Sequence, residues 1–211
     1  MIALPSTYRS HAVIPFAPNA DADRPHSWDW TNTANTMPSG LTIAAAHATA
    51  GKEAVPLQYA GLTRSEARTI EQFVEDRAGR HEGFWCPSFQ HDFHVTNRAP
   101  DIFFEVREWG YAANVFPLGN WARHFATYRI GSSGGPWHLG ILTGCSTGVG
   151  TDTDGSSLSW YGTLFSVGGP ASVLMRLLWV RCVDDALTTE WAHPNLASIS
   201  FNVIEVSGEA P

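Results

Sequence analysis

The amino-acid sequence predicts a mainly β fold, a sandwich or barrel with one helix laid against it, and three observations carry that expectation. Beyond residue 82 the chain is a series of short runs rich in β-branched and aromatic residues, among them "IFFEVREW", "HFATYRI", "VLMRLLWVRCVD" and "SISFNVIEV". Turn clusters such as "GSSGGP", "TGVGTDTDGSS" and "GGP" separate them. Only one segment has helical periodicity, so the regular alternation of strands and helices that builds a parallel sheet is missing.

Taken in order, residues 1–50 are rich in Pro, Asn, Thr, Ser and Ala and read as an extended N-terminal arm. Residues 51–211 form the β-rich domain, with 98–170 either part of the sandwich or an insertion projecting from it. "EAVPLQYAGL" (53–62) has the partial alternation of a strand, and Pro56 makes it an edge strand or a bulge. "TRSEARTIEQFVEDRAGR" (63–80) is the helix. Thr63 and Glu66 make a capping-box pattern, each side chain satisfying a free backbone N–H. Ala67, Ile70, Phe73, Val74 and Arg77 follow helical spacing, while Glu66, Arg68, Glu71, Glu75 and Asp76 form a solvated face. Gly79 suits the left-handed residue that ends a helix. "GFWCPSF" is the strand that follows, and the last strands are "HLGILTG", "SLSWYGTLFSV" and "LTTEWA" with those named above.

The chain has 211 residues, enough for one domain with its own core. Charged residues make up 16% of it, against about a quarter in average soluble proteins. Nine tryptophans exceed what one modest core hides, and tryptophan is favoured at protein interfaces. The net charge of −7, without a basic run, argues against a nucleic-acid groove. The N-terminus lacks a basic stretch followed by an apolar one, so no signal peptide is expected. The most apolar stretch, 173–180, is short and interrupted by Arg176, so no membrane anchoring is expected. Cys86, Cys145 and Cys182 are an odd, widely spaced set that fits thiols in a reducing cytosol.

Several constellations could carry chemistry, and each has a plainer reading. His81, Cys86, His91 and His94 are zinc-ligand types close in sequence, but only His91/His94 has ligand-like spacing. On a strand those two point to opposite faces, so a buried thiol and interface histidines are favoured. "GCSTG" (144–148) matches a nucleophile-elbow pattern centred on Ser146, with Asp184, Asp185 and His193 downstream. That pattern needs a helix after the serine, and "TGVGTDTDGSS" cannot start one, so a hairpin tip is favoured. Asp152, Asp154 and Gly155 resemble the start of a calcium loop without its later acidic ligand, and a turn explains them. Asp184 and Asp185 are adjacent and rarely share one face. The expectation is a non-enzymatic protein with no catalytic residues, no metal and no cofactor.

The run "LQYAGLTRSEARTIEQFVEDRAGRHEGFWCPSFQHDF" resembles minor tail and distal-tail proteins of long-tailed bacteriophages. In that pattern a strand leads to a capped helix, and a Phe-Trp-x-Pro strand follows with a Gln-x-Asp-Phe continuation. The matching residues are Leu62, Glu66, Ala67, Phe73, Gly79, Phe84, Trp85, Pro87, Gln90, Asp92 and Phe93. The C-terminal stretch is similar too: Arg181, Asp184 and Asp185 enter a strand, and the last strand ends at Glu205. The resemblance covers roughly 55–95 and 172–206, and Ala78 stands where the family usually has a basic residue.

It implies a tail-tube-like β-sandwich whose copies form a ring, usually sixfold, at the tail tip of the virion. The implied neighbours are the tail tube, the tape-measure protein and the baseplate hub. Assembly would take place in the host cytoplasm, and an acidic lumen would let DNA slide without sticking. Phe73, Phe84, Trp85, Pro87, Phe89, Phe93, Trp179 and Trp191 are the structural and interface candidates. "EGFWCPSFQHD" is then a strand whose alternate aromatics pin the helix to the sheet while the remainder faces a neighbour. One alternative is a β-sandwich host-surface carbohydrate-binding module using Trp109, Trp121 or Trp137 as stacking platforms. A hydrolase centred on Ser146 is the third reading.

Overall fold

A computed structural model describes residues 2–19, 27–29, 32–36, 42–46, 52–79, 81–90, 92–99, 103–107, 123–129, 137–147, 155–162, 172–184 and 187–206. Its strands are β1 (Thr7–Tyr8), β2 (His11–Ala12), β3 (Ser27–Asp29), β4 (Asn32–Thr36), β5 (Thr42–Ala46) and β6 (Lys52–Leu62). After helix α1 (Arg64–Asp76) come β7 (Phe84–Pro87), β8 (His94–Ala99), β9 (Phe103–Arg107), β10 (His124–Arg129) and β11 (His138–Thr147). The chain continues with β12 (Gly155–Gly162), β13 (Ser172–Cys182), β14 (Thr188–His193) and β15 (Leu196–Glu205). Among the described residues the fold is mainly β with one helix, as the sequence predicts. No described helix is long and apolar enough to cross a membrane.

The main strand path runs β3-β6-β15-β13-β10-β11-β12-β9-β8, with β14 added at β15 and β7 at β13. Among the described residues its end strands β3 and β8 do not pair, so the sheet is open and the barrel alternative is corrected. The segment 98–170, a candidate insertion, supplies strands that extend this path from β13 through β10. At the centre, β13 is shared. Its first half pairs with β10, from Arg129↔Ser172 to Phe125↔Arg176, and its second half pairs with β15 through Val180↔Glu205 and Cys182↔Val203. The opposite edge takes β7, with Trp85 opposite Trp179 and Phe84 opposite Val180.

Period-two burial sets the register of the two strands that carry the helix. Val55, Leu57 and Tyr59 of β6 face Val203, Phe201 and Ile199 of β15, and all are buried. Gly61 has φ +64 where that register shifts, so it absorbs an extra residue and returns Leu62 to the core side. At Pro56, β6 pairs with Asn202, whereas β3 covers only Lys52–Ala54. Among the described residues the proline thus lies on an open edge, where its missing N–H costs nothing.

Helix α1 starts as expected. Thr63 and Glu66 form the reciprocal capping box, the backbone N–H of Thr63 donating to Glu66 Oε2 at 2.9 Å. Ala67, Ile70 and Val74 are buried against the sheet, and Phe73 is half-buried beside them. The helix ends through two left-handed residues, Ala78 (φ 49) and Gly79 (φ 62), with the Gly79 N–H donating to the Val74 carbonyl.

The expected N-terminal arm is corrected for residues 2–19, which pack on the domain's own core. Leu4, Val13 and Ile14 are buried, and each burial stabilises by roughly 2 kcal/mol. Val13 bridges Trp85 in parallel, and the Ile14 N–H donates to the Trp85 carbonyl at 3.0 Å. This segment therefore covers the outer edge of β7. Pro5, Pro15 and Pro18 interrupt the segment, so its apolar residues show neither a helical nor a strand period in the sequence.

Candidate functional site

The aromatic segment 82–93 is the junction of the fold. All four residues of β7 are buried, so both of its faces are covered within one chain. Phe84 meets Phe73 of α1 edge-to-face at 5.1 Å, the expected pin between helix and sheet. Trp85 points the other way. It packs edge-on against Trp179 at 5.1 Å and Tyr8 at 5.5 Å, and tilts over His124 at 4.6 Å. The expectation that these remaining aromatics face a neighbouring copy is corrected, because the N-terminal segment and β10 occupy that side. Pro87 pairs with Leu177 in β13. Phe89 has φ 54 and turns the chain, setting its ring edge-on to the buried Trp137 at 5.9 Å. Phe93 is buried against Phe125 at 5.0 Å.

Where β7 ends, side chains replace strand pairing. The Ser88 N–H donates to the Arg176 carbonyl at 2.9 Å, and Asp92 Oδ2 accepts the Arg176 N–H at 2.7 Å. The Ser88 hydroxyl donates to the same carboxylate oxygen of Asp92. This gives a physical role to the aspartate of the Gln-x-Asp-Phe pattern.

Two polar clusters escaped sequence reasoning. In the first, Arg176 Nη1 lies 2.9 Å from Glu53 Oε2, and Nη2 lies 3.6 Å from Glu205 Oε1. Both carboxyl groups are buried. Burial is the main influence on Glu205 and raises its pKa, opposed by Arg176 and reinforced by the charge of Glu53. A sequence signal existed: Glu53 and Glu205 stand in phase with the apolar residues of β6 and β15. In the second cluster, the Tyr8 hydroxyl and His124 Nδ1 are hydrogen-bonded at 3.0 Å. Burial, and then the nearby positive Arg9, push His124 down to about 4. Burial pushes Tyr8 up to about 12, against the pull of Arg9. Among the described residues nothing hydrogen-bonds His124 Nε2 or Trp85 Nε1.

The other sequence candidates are dispersed. His81 is exposed and Cys86 is buried, so these two do not converge, and His91 lies outside the described residues. No group of three or more metal-ligating side chains occurs among the described residues. Ser146 sits within β11 opposite Ser157, and the chain returns antiparallel as β12 instead of entering the helix of a nucleophile elbow. Asp184 and His193 are exposed, while Asp185, Asp152 and Asp154 lie outside the described residues. Trp137 is buried and cannot be an exposed stacking platform; Trp109 and Trp121 lie outside the described residues. A small cleft of about 280 Å³ between α1 and β14 is lined by Glu71, Val74, Glu75, Gly79, Leu187 and Thr189. Thr189 closes part of it by donating its hydroxyl to Glu71 at 2.8 Å.

Among the described residues the exposed large apolar side chains are Ile2, Val183, Trp191 and Leu196, and the last two lie on the β14–β15 hairpin. Trp191 is 45% exposed on β14 and Leu196 is 45% exposed at the start of β15. Every residue of β14 is at least partly exposed. Neither the known protein-family models nor the curated proteins contain a match to this chain.

Proposed function

We propose that this chain is a structural virion protein of a bacteriophage tail tip, forming a ring between the tail tube and the baseplate hub. The observation that carries the reading is the unity of the residues behind the tail-protein resemblance. Phe73, Phe84, Trp85, Asp92 and Phe93 all join α1, β7 and β13 into one packed unit. In this reading they build a scaffold, and none of them forms a reactive centre. The β14–β15 hairpin, carrying exposed Trp191 and Leu196, is the part that meets the neighbouring copy. Partners are further copies of the chain together with tail-tube, tape-measure and baseplate-hub proteins. DNA passes the acidic lumen without specific binding.

The test is co-expression with the neighbouring tail genes, followed by native mass spectrometry and negative-stain microscopy. The reading expects closed rings of a single copy number that are weakened by Trp191→Ser. A chain that stays monomeric beside all of those partners and responds to glycans by tryptophan fluorescence would replace it with the carbohydrate-binding reading.

A further inference from the structure

Where β6, β15 and β13 meet, two buried carboxyl groups share one arginine that the tail-tip reading does not use. We propose that Glu205 holds a proton in the folded protein at neutral pH, and that this carboxylic acid is a pH-sensitive clasp joining β6, β15 and β13.

The geometry is unequal. Arg176 makes its close contact, 2.9 Å, with Glu53, and reaches Glu205 only at 3.6 Å. Antiparallel register places Glu205 directly beyond the Ile204↔Ala54 pair, across from Glu53, so two buried carboxyl groups face each other on adjoining strands. A buried carboxylate whose cation lies 3.6 Å away and is shared with a second, nearer carboxylate keeps a desolvation cost that taking up a proton removes. The Glu53 backbone N–H also donates to the Glu205 carboxyl group and favours its charged form, but burial outweighs it.

Among the described residues the charged groups around Glu205 are Glu53 from β6 and Arg176 from β13, while Asp92, beyond β7, engages Arg176 through the backbone. Lys52 and Arg181 stand one residue out of phase in the register, on the opposite face. Losing the proton sets two like charges across from each other at the start of β6 and the end of β15. The clasp therefore loosens at alkaline pH. The sign follows from linkage. A carboxyl group whose folded pKa is raised contributes its full stability at acid pH, and that contribution drains away as pH rises through the folded value.

The test compares wild type with Glu205→Gln, which keeps the shape of the protonated acid. Denaturant midpoints are measured from about pH 5 to about pH 9, and taking the difference removes groups common to both proteins. The expected result is that the variant matches wild type near pH 5 and exceeds it progressively toward pH 9. Infrared spectroscopy at neutral pH then shows a protonated-carboxyl band in wild type that the variant lacks. A variant that is less stable than wild type at neutral pH overturns the proposal. If the variant fails to fold, the wild-type infrared spectrum still decides: absence of a protonated-carboxyl band at neutral pH overturns it.

Discussion

Asp92 takes the place of a strand partner for Arg176: its carboxylate accepts the Arg176 backbone N–H at 2.7 Å just where β7 stops pairing with β13. The same carboxylate holds the Ser88 hydroxyl, so one side chain closes both ends of the turn that carries Phe89. Removing it leaves a part-buried donor unmet. Asp92→Ala should cost about 2 kcal/mol, and Asp92→Asn clearly less, as read from urea midpoints at unchanged slope.

Gly83 is held bare by Trp179. A Cβ on Gly83 would lie 2.5 Å from Trp179 Cε2, closer than real side chains come, and the indole is locked between Trp85 and His11. Gly83→Ala should destabilise by about 2 kcal/mol and alter the near-ultraviolet tryptophan circular dichroism. Unchanged stability and spectrum would mean that the indole moves freely.

Two tryptophans should separate folding from assembly. Trp85 is fully buried, and Trp85→Ala should cost about 3 kcal/mol or more. Trp191 is 45% exposed, and Trp191→Ser should change monomer stability by less than about 0.5 kcal/mol. If the tail-tip reading holds, Trp191→Ser nonetheless weakens ring formation, which sedimentation of the co-expressed complex would show.

Acid stability should report His124. Its folded pKa of about 4 lies below the ordinary histidine value, so the unfolded chain binds its proton first. Stability attributable to this group is complete above about pH 6.5 and is lost as pH falls toward 4. His124→Gln should therefore flatten the wild-type decline over that window in denaturation monitored by tryptophan fluorescence.

Much of this architecture is legible in the sequence. The capped helix at Thr63 and Glu66, its inward Ala67, Ile70 and Val74, and the strand at Phe84–Pro87 follow from local periodicity and capping chemistry. Trp137 and the N-terminal segment did not follow. Their burial is decided by partners distant in sequence, such as the Val13–Trp85 bridge, which leave no local pattern. Glu53, Arg176 and Glu205 fall between these cases. Each sits in an apolar run at an inward-facing phase, yet only the sheet order shows that the three meet. The site candidates divide likewise: Phe73 and Phe84 meet as the helix spacing implies, whereas the face given to a neighbour belongs to Tyr8 and His124.

Electron microscopy of assembled particles with a gold-labelled tag on this chain decides whether it occupies a tail. Label is expected at one end of the tail, in a ring of fixed copy number between tube and hub. Label confined to peripheral fibres, or absent from every particle, would contradict that placement.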